Sequence, residues 1–123
     1  MSTHAVIRVE GSNVALFKHW DGYPENTLPW LIKFNKDSVK FFPAMYPDHK
    51  VAELIRSTVT SAKKYTLSKS GWAVLIAPPE QGFHEIDAKF IYELKTDGSV
   101  SVTRFIYELK TDGSVSVTRV TYG

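Results

Sequence analysis

The sequence predicts an α+β domain: an antiparallel sheet with two helices packed on one face, in the chain order ββαα followed by a β-meander. Three observations predict it. Runs that alternate apolar and polar residues lie towards both ends of the chain. Between them are two stretches with helix signals, the second with apolar residues at helical spacing. Finally, residues 90–104 read FIYELKTDGSVSVTR, and residues 105–119 repeat the same fifteen residues without change. The repeat implies one C-terminal hairpin more than a minimal fold of this kind needs. At 123 residues, residues 1–123 are expected to form a single domain with a core that needs no staples.

Ala5 to Glu10 reads as a strand, Gly11-Ser12-Asn13 as a turn and Val14 to Lys18 as the return strand. The string His19-Trp20-Asp21-Gly22-Tyr23-Pro24-Glu25-Asn26 follows, and Asp-Gly and Tyr-Pro make it a turn-rich loop. Thr27 is expected to cap a helix beginning Leu28-Pro29-Trp30, with Pro29 in its first turn, and running to Asn35 or beyond. Pro43 closes that segment. Pro47 and Asp48 open a second helix, where Val51, Leu54, Ile55, Val59, Ala62 and Tyr65 form the apolar stripe. Its charged face of Lys50, Glu53, Arg56, Lys63 and Lys64 reads as a solvated surface. Trp72 to Ala77 is continuously apolar, which predicts a central strand covered on both faces.

Each repeat unit is a hairpin by its own chemistry. A two-residue Asp97-Gly98 loop would place Leu94 opposite Ser101 and mix polar with apolar residues on both faces. A three-residue loop, Thr96 to Gly98 with Gly98 left-handed, places Leu94 opposite Val100 and Tyr92 opposite Val102. One face then carries Phe90, Tyr92, Leu94, Val100 and Val102, the other Glu93, Lys95, Ser99, Ser101 and Thr103. The pattern selects the three-residue loop. The junction has neither Gly nor Pro, and its apolar parity breaks at Thr103-Arg104, where a bulge would restore it. The same break precedes Val120 and Tyr122, so Arg104-Phe105-Ile106-Tyr107 matches Arg119-Val120-Thr121-Tyr122 in kind. A tandem duplication, recent or engineered, of a parent ending SVSVTRVTYG accounts for this. Two equivalent segments then compete for one strand position, and the surplus one becomes an added hairpin, an extended meander or a strand lent to a second copy. A homo-oligomer through exposed or swapped C-terminal strands is the partner expected.

The composition narrows the classes of function. There is no cysteine, which excludes disulfides and thiolate metal sites and suits a cytoplasmic, reducing compartment. The N-terminal residues lack a charged and an apolar signal region, so no secretion signal is expected. No apolar run reaches membrane-spanning length, so no membrane span is expected. A formal charge of +2, with basic residues scattered, gives no case for nucleic acid. No cofactor or metal motif is present among the phosphate-loop, dinucleotide, nucleophile-elbow and zinc-helix patterns.

The residues with chemistry to offer are His19 and Asp21 in the turn-rich loop and His84 further on. A histidine and a carboxylate could form a general acid/base pair. Trp20, Tyr23 and Trp30, with Tyr46 and Phe83, could form an aromatic binding patch. The competing reading makes them structural: Asp21 and Asn26 bond loop backbone, His19 packs or meets water, and Trp20 and Tyr23 fill the edge of the core.

Two resemblances arise at this loop. The string KHWDGYPENTLPWL, residues 18–31, resembles one in small uncharacterised prokaryotic and phage-type proteins carrying an HWDGYP signature, a resemblance that implies no established activity. Trp20, Gly22, Tyr23, Asn26 and Thr27 are similar to the chromodomain's W-x-G-Y followed by N-T-W-E-P, which implies an aromatic cage for methyl-lysine. Leu28 stands where that family has tryptophan, and the two helices have no place in it. The function expected is a non-catalytic interaction or structural domain. The alternatives are a small hydrolase or ligand-binding enzyme using His19 and Asp21, and a chromodomain-like reader.

Overall fold

The computed structural model describes residues 3–20, 22–41, 46–61, 71–76 and 88–122. The chain runs β1 (His4–Val9), β2 (Val14–Lys18), α1 (Pro24–Phe41), α2 (Pro47–Ser61), β3 (Trp72–Ile76), β4 (Ala88–Leu94), β5 (Val100–Leu109) and β6 (Val115–Tyr122). The strands form one six-stranded sheet in the order β3-β2-β1-β4-β5-β6. Helix α2 lies over β1 and β2, and α1 over β4 and β5. One apolar cluster joins Ile7, Leu16, Tyr92, Leu94 and Val102 of the strands to Leu31 and Leu54 of the helices. The α+β class, the ββαα order and the helix-covered face are therefore as the sequence predicts.

Four of the five strand pairings are antiparallel, and β1–β4 is parallel. The helices explain why. Two helices of 18 and 15 residues carry the chain out and back, so β3 starts beside the end of β2, with Lys18 opposite Trp72. Strand β3 then finishes at the Val14 end of the sheet, whereas β4 begins beside His4. A link between opposite ends sets β4 parallel to β1, where a hairpin would have made it antiparallel.

Strand β3 corrects a second expectation, because it lies at the edge of the sheet and not at its centre. Trp72 is buried, packed edge-to-face with Trp30 at 5.7 Å between ring centroids and with the Lys18 ammonium 4.6 Å over its face. Val74 is 57% exposed. A continuous apolar run marks burial on both faces only where both faces are covered, and here the run reports the Trp72 anchor more than the strand's position.

Helix α1 starts four residues earlier than expected, at Pro24 instead of Leu28. Pro24 takes the first helical position, where its missing N–H is no loss and its ring sets φ. The Tyr23 carbonyl accepts from the N–H groups of Asn26 and Thr27, so Thr27 is buried inside the first turn and is not the cap. Helix α2 opens at Pro47 as predicted. The Ser12 hydroxyl donates to Asp48 at 2.9 Å and accepts from the Val14 N–H, tying the β1–β2 turn to the helix start. Ala62 and Tyr65 of its predicted stripe, together with Pro43 and Phe83, lie outside the described residues.

Both repeat units fold as the three-residue-loop hairpin. Leu94 pairs with Val100 and Tyr92 with Val102, and Leu109 with Val115 and Tyr107 with Val117 in the same register. Gly98 and Gly113 are left-handed, at φ 94° and 86°. Asp97 and Asp112 each accept from the N–H and hydroxyl of the serine two residues on. Their surroundings differ. A Cβ on Gly98 would meet Val39 of α1 at 3.6 Å, whereas one on Gly113 would meet nothing within 4 Å. Gly98→Ala is accordingly expected to lower global stability by about 1–2 kcal/mol through backbone strain. Gly113→Ala should leave the global denaturation midpoint unchanged and show only as faster amide exchange at the tip.

The bulge expected at Thr103-Arg104 does not form. Strand β5 passes through the junction without a break, and its register with β6 is continuous from Val102–Tyr122 to Leu109–Val115. A bulge is worth its lost ladder bonds only if it returns apolar residues to a core. Among the described side chains, the core cluster ends at Val102. Past that point an unbroken ladder is the better solution, and positions 105, 107 and 109 keep the pleat phase of Thr103. The outcome is an extended meander, with residues 90–104 in the body of the sheet.

Candidate functional site

The string from His19 to Pro24 forms a joint between four elements. His19 continues β2 one position past the Ala5–Lys18 pair, which sets it across from His4. Their rings stack at 4.5 Å with 27° between planes, and Phe17 meets His4 edge-on at 5.3 Å. Trp20 meets His19 edge-on at 4.7 Å. The His19 N–H donates to the Gly71 carbonyl at 2.7 Å, which carries the β2–β3 pairing into the loop. The Trp20 ring also lies against Gly71, where a Cβ would come within 2.5 Å of it and where φ is +82°.

Gly22 is the centre of the joint. Its N–H donates to the Thr3 carbonyl at 3.0 Å, and its carbonyl accepts from the buried Tyr92 hydroxyl at 2.6 Å. A Cβ there would stand 2.7 Å from both the Thr3 oxygen and the Ala5 Cβ. The loop is thus fixed to β1 by backbone, to β4 by a core tyrosine and to β3 through His19. Tyr23 and Pro24 convert it into α1.

Of the sequence-predicted site residues, His19 is described and its ring lies between His4 and Trp20. Asp21 and His84 lie outside the described residues. Trp20 and Tyr23 are each 44% exposed, but the three candidate aromatics have different ring neighbours. Trp20 meets His19, Tyr23 approaches Phe90 at 6.3 Å, and Trp30 meets Trp72. Tyr46, 71% exposed, meets His49. Among the described residues, no group of three or more His, Cys, Asp or Glu is placed to hold a metal ion. No helix of the described residues is long and apolar enough to cross a membrane.

A second constellation surrounds the first repeat's turn, and the sequence reading did not single it out. Fully buried Asn35 of α1 donates from its one amide nitrogen to the carbonyls of Lys95 and Ser99, at 2.9 and 2.7 Å. Buried Lys50 of α2 reaches the same Lys95 carbonyl at 3.4 Å. Glu10 accepts from the Thr96 N–H at 3.0 Å and pairs with Lys95, which also pairs with Glu93. One signal was legible: Asn35 and Ser38 continue the helical spacing of Leu31, so a polar pair sits in an apolar stripe. Nothing in the sequence marks Lys50, whose described neighbours on the charged face, Glu53 and Arg56, have side chains 44% and 81% exposed.

These contacts shift the ionisations in opposite directions. The Thr96 N–H and, less strongly, Lys95 hold the Glu10 carboxyl below its ordinary value of 4.5. Its contribution to stability is therefore full above that value and is lost as pH falls through the lower folded one. Glu10→Gln is expected to flatten the acid limb of a stability–pH curve. Burial lowers the Lys50 ammonium from its ordinary 10.5, against the opposing pull of Glu10 and Asp97. The folded state is thus favoured further as pH rises from the lowered value towards 10.5.

Compared with protein-family models, with curated proteins and with solved structures, the chain has no match. The chemistry of the site therefore rests on its own geometry. In that geometry His19, Trp20 and Gly22 join strands, and the polar residues of α1 and α2 hold a hairpin turn.

Proposed function

We propose that the chain is a non-catalytic interaction or structural domain that meets a second copy of itself through its C-terminal strands. The observation that carries this is the position of β6. It pairs with β5 on one side only, at the end of the sheet, and presents Val120 at 40% exposure. An exposed β-prone edge is a template for a further strand, since each unpaired N–H and C=O can be satisfied by another chain. The exact repeat supports the same reading, because the second copy supplies most of β6 and with it the outer edge of the sheet. A cytoplasmic setting is supported by the cysteine-free composition.

Light scattering across a concentration series tests this. The weight-average mass is expected to rise from monomer to dimer, and Val120→Lys, which places a charge on the edge, should move the midpoint at least tenfold higher in concentration. A strict monomer at every concentration would overturn the reading.

A further inference from the structure

The contacts that hold the first hairpin in place come from outside the repeat and, apart from the His4–Ala88 pair at the start of β4, fall on residues that the repeat contains twice. Strand β1 pairs with residues 90–94, and the Glu10 N–H extends that ladder to the Leu94 carbonyl at 3.0 Å. Glu10, Asn35 and Lys50 hold the Lys95–Ser99 turn, Val39 abuts Gly98, and the Gly22 carbonyl receives the Tyr92 hydroxyl. Fifteen residues on, the chain again offers Phe, Tyr, Leu, Lys, Thr, Gly and Ser in the same order, already folded in the same hairpin register.

We infer that the open edge of β1 with Glu10, Asn35, Val39 and Lys50 is a receptor for this hairpin as such. It accepts residues 105–119 in place of 90–104 within the same chain, so that two registers exchange. In the second register, residues 105–109 take the place of β4's 90–94, and residues 115–122 take the place of β5. Arg119-Val120-Thr121-Tyr122 then continue the strand as Arg104-Phe105-Ile106-Tyr107 do now.

What separates the registers is small. The observed one gains three cross-strand pairs at the junction: Val102–Tyr122, Thr103–Thr121 with its 2.9 Å hydroxyl contact, and Arg104–Val120. The exchanged one lengthens the link after β3 from residues 77–87 to 77–102. A loop rather more than twice as long disfavours closure by about fourfold. Together with the three pairs, this leaves the observed register ahead by roughly ten- to several-hundredfold. Exchange in cis is also favoured over exchange between molecules, because the second hairpin is tethered beside the receptor.

A lesion confined to one copy tests the inference. Leu94 is fully buried, and Leu94→Asp puts an unpaired carboxylate into the core. With exchange, the single variant folds with the second hairpin docked, and its folding equilibrium falls only by the ten- to several-hundredfold that separates the registers. Leu94→Asp with Leu109→Asp, which spoils both copies, unfolds. If Leu94→Asp alone is as unfolded as the double variant, the inference fails.

A crosslink gives the second readout in this cysteine-free chain. A Cβ at position 98 lies 3.9 Å from the Val39 Cβ, within disulfide range. Val39→Cys with Gly98→Cys, which reports the observed register, is the control. In the Leu94→Asp background, Val39→Cys with Gly113→Cys is expected to close an intramolecular disulfide. No disulfide, or one found only between two chains, overturns exchange in cis.

Discussion

Asn35→Asp is expected to destabilise the protein by about 3–5 kcal/mol, because it buries an unpaired carboxylate against two carbonyl oxygens. The wild-type amide is fully buried and gives both of its hydrogens to the Lys95 and Ser99 carbonyls. An aspartate has none to give. Asn35→Leu removes the donors without adding charge. The carbonyls keep other partners, Gly98 N–H on Lys95 and Lys95 N–H on Ser99, so the loss should be about 1–3 kcal/mol. Equilibrium urea denaturation reads both. Because either hairpin copy would have to use the same Asn35, the second copy offers no rescue, unlike the case of Leu94. An Asn35→Asp protein as stable as wild type would show that the amide does not hold the turn.

Gly22→Ala is expected to cost about 3 kcal/mol or more, through overpacking and the loss of two hydrogen bonds. The added methyl would meet the Thr3 carbonyl and the Ala5 Cβ at 2.7 Å. Ala5 is fully buried in the middle of the sheet, so the loop has to move and β1 does not. That movement breaks the bond to Thr3 and the one from Tyr92 together. Thermal melting and the near-ultraviolet signal of Trp20, on the same loop, should both report it. A neutral Gly22→Ala would mean that the joint between β1, β4 and α1 is looser than its contacts imply.

The residues of the HWDGYP string were legible as distinctive but not as to their use. Their composition fits a catalytic loop or an aromatic patch as well as a joint. The joint is made by what lies across from the described residues: His4 opposite His19, Gly71 beneath Trp20, Thr3 and Tyr92 on Gly22. Those neighbours come from other strands, and no local pattern names them. The turn-holding residues were less legible still. Lys50 shares its helix face with Glu53 and Arg56, whose side chains reach solvent, and only the crossing of α2 over the β1 side of the sheet makes it a buried donor.

The hairpins, their register and loop type, the two helices and the α+β class all follow from the sequence alone. Each depends on contacts within a few residues, so alternation, turn chemistry and helical spacing carry the information. The tertiary structure alone decided that β3 is an edge strand, that β4 lies parallel to β1, and that the junction runs straight where a bulge had been expected. The reason is common to all three. Strand order and the reach of the core are set by which faces the helices cover, and of two chemically identical segments the first is the one that β1 and the polar residues of α1 and α2 hold.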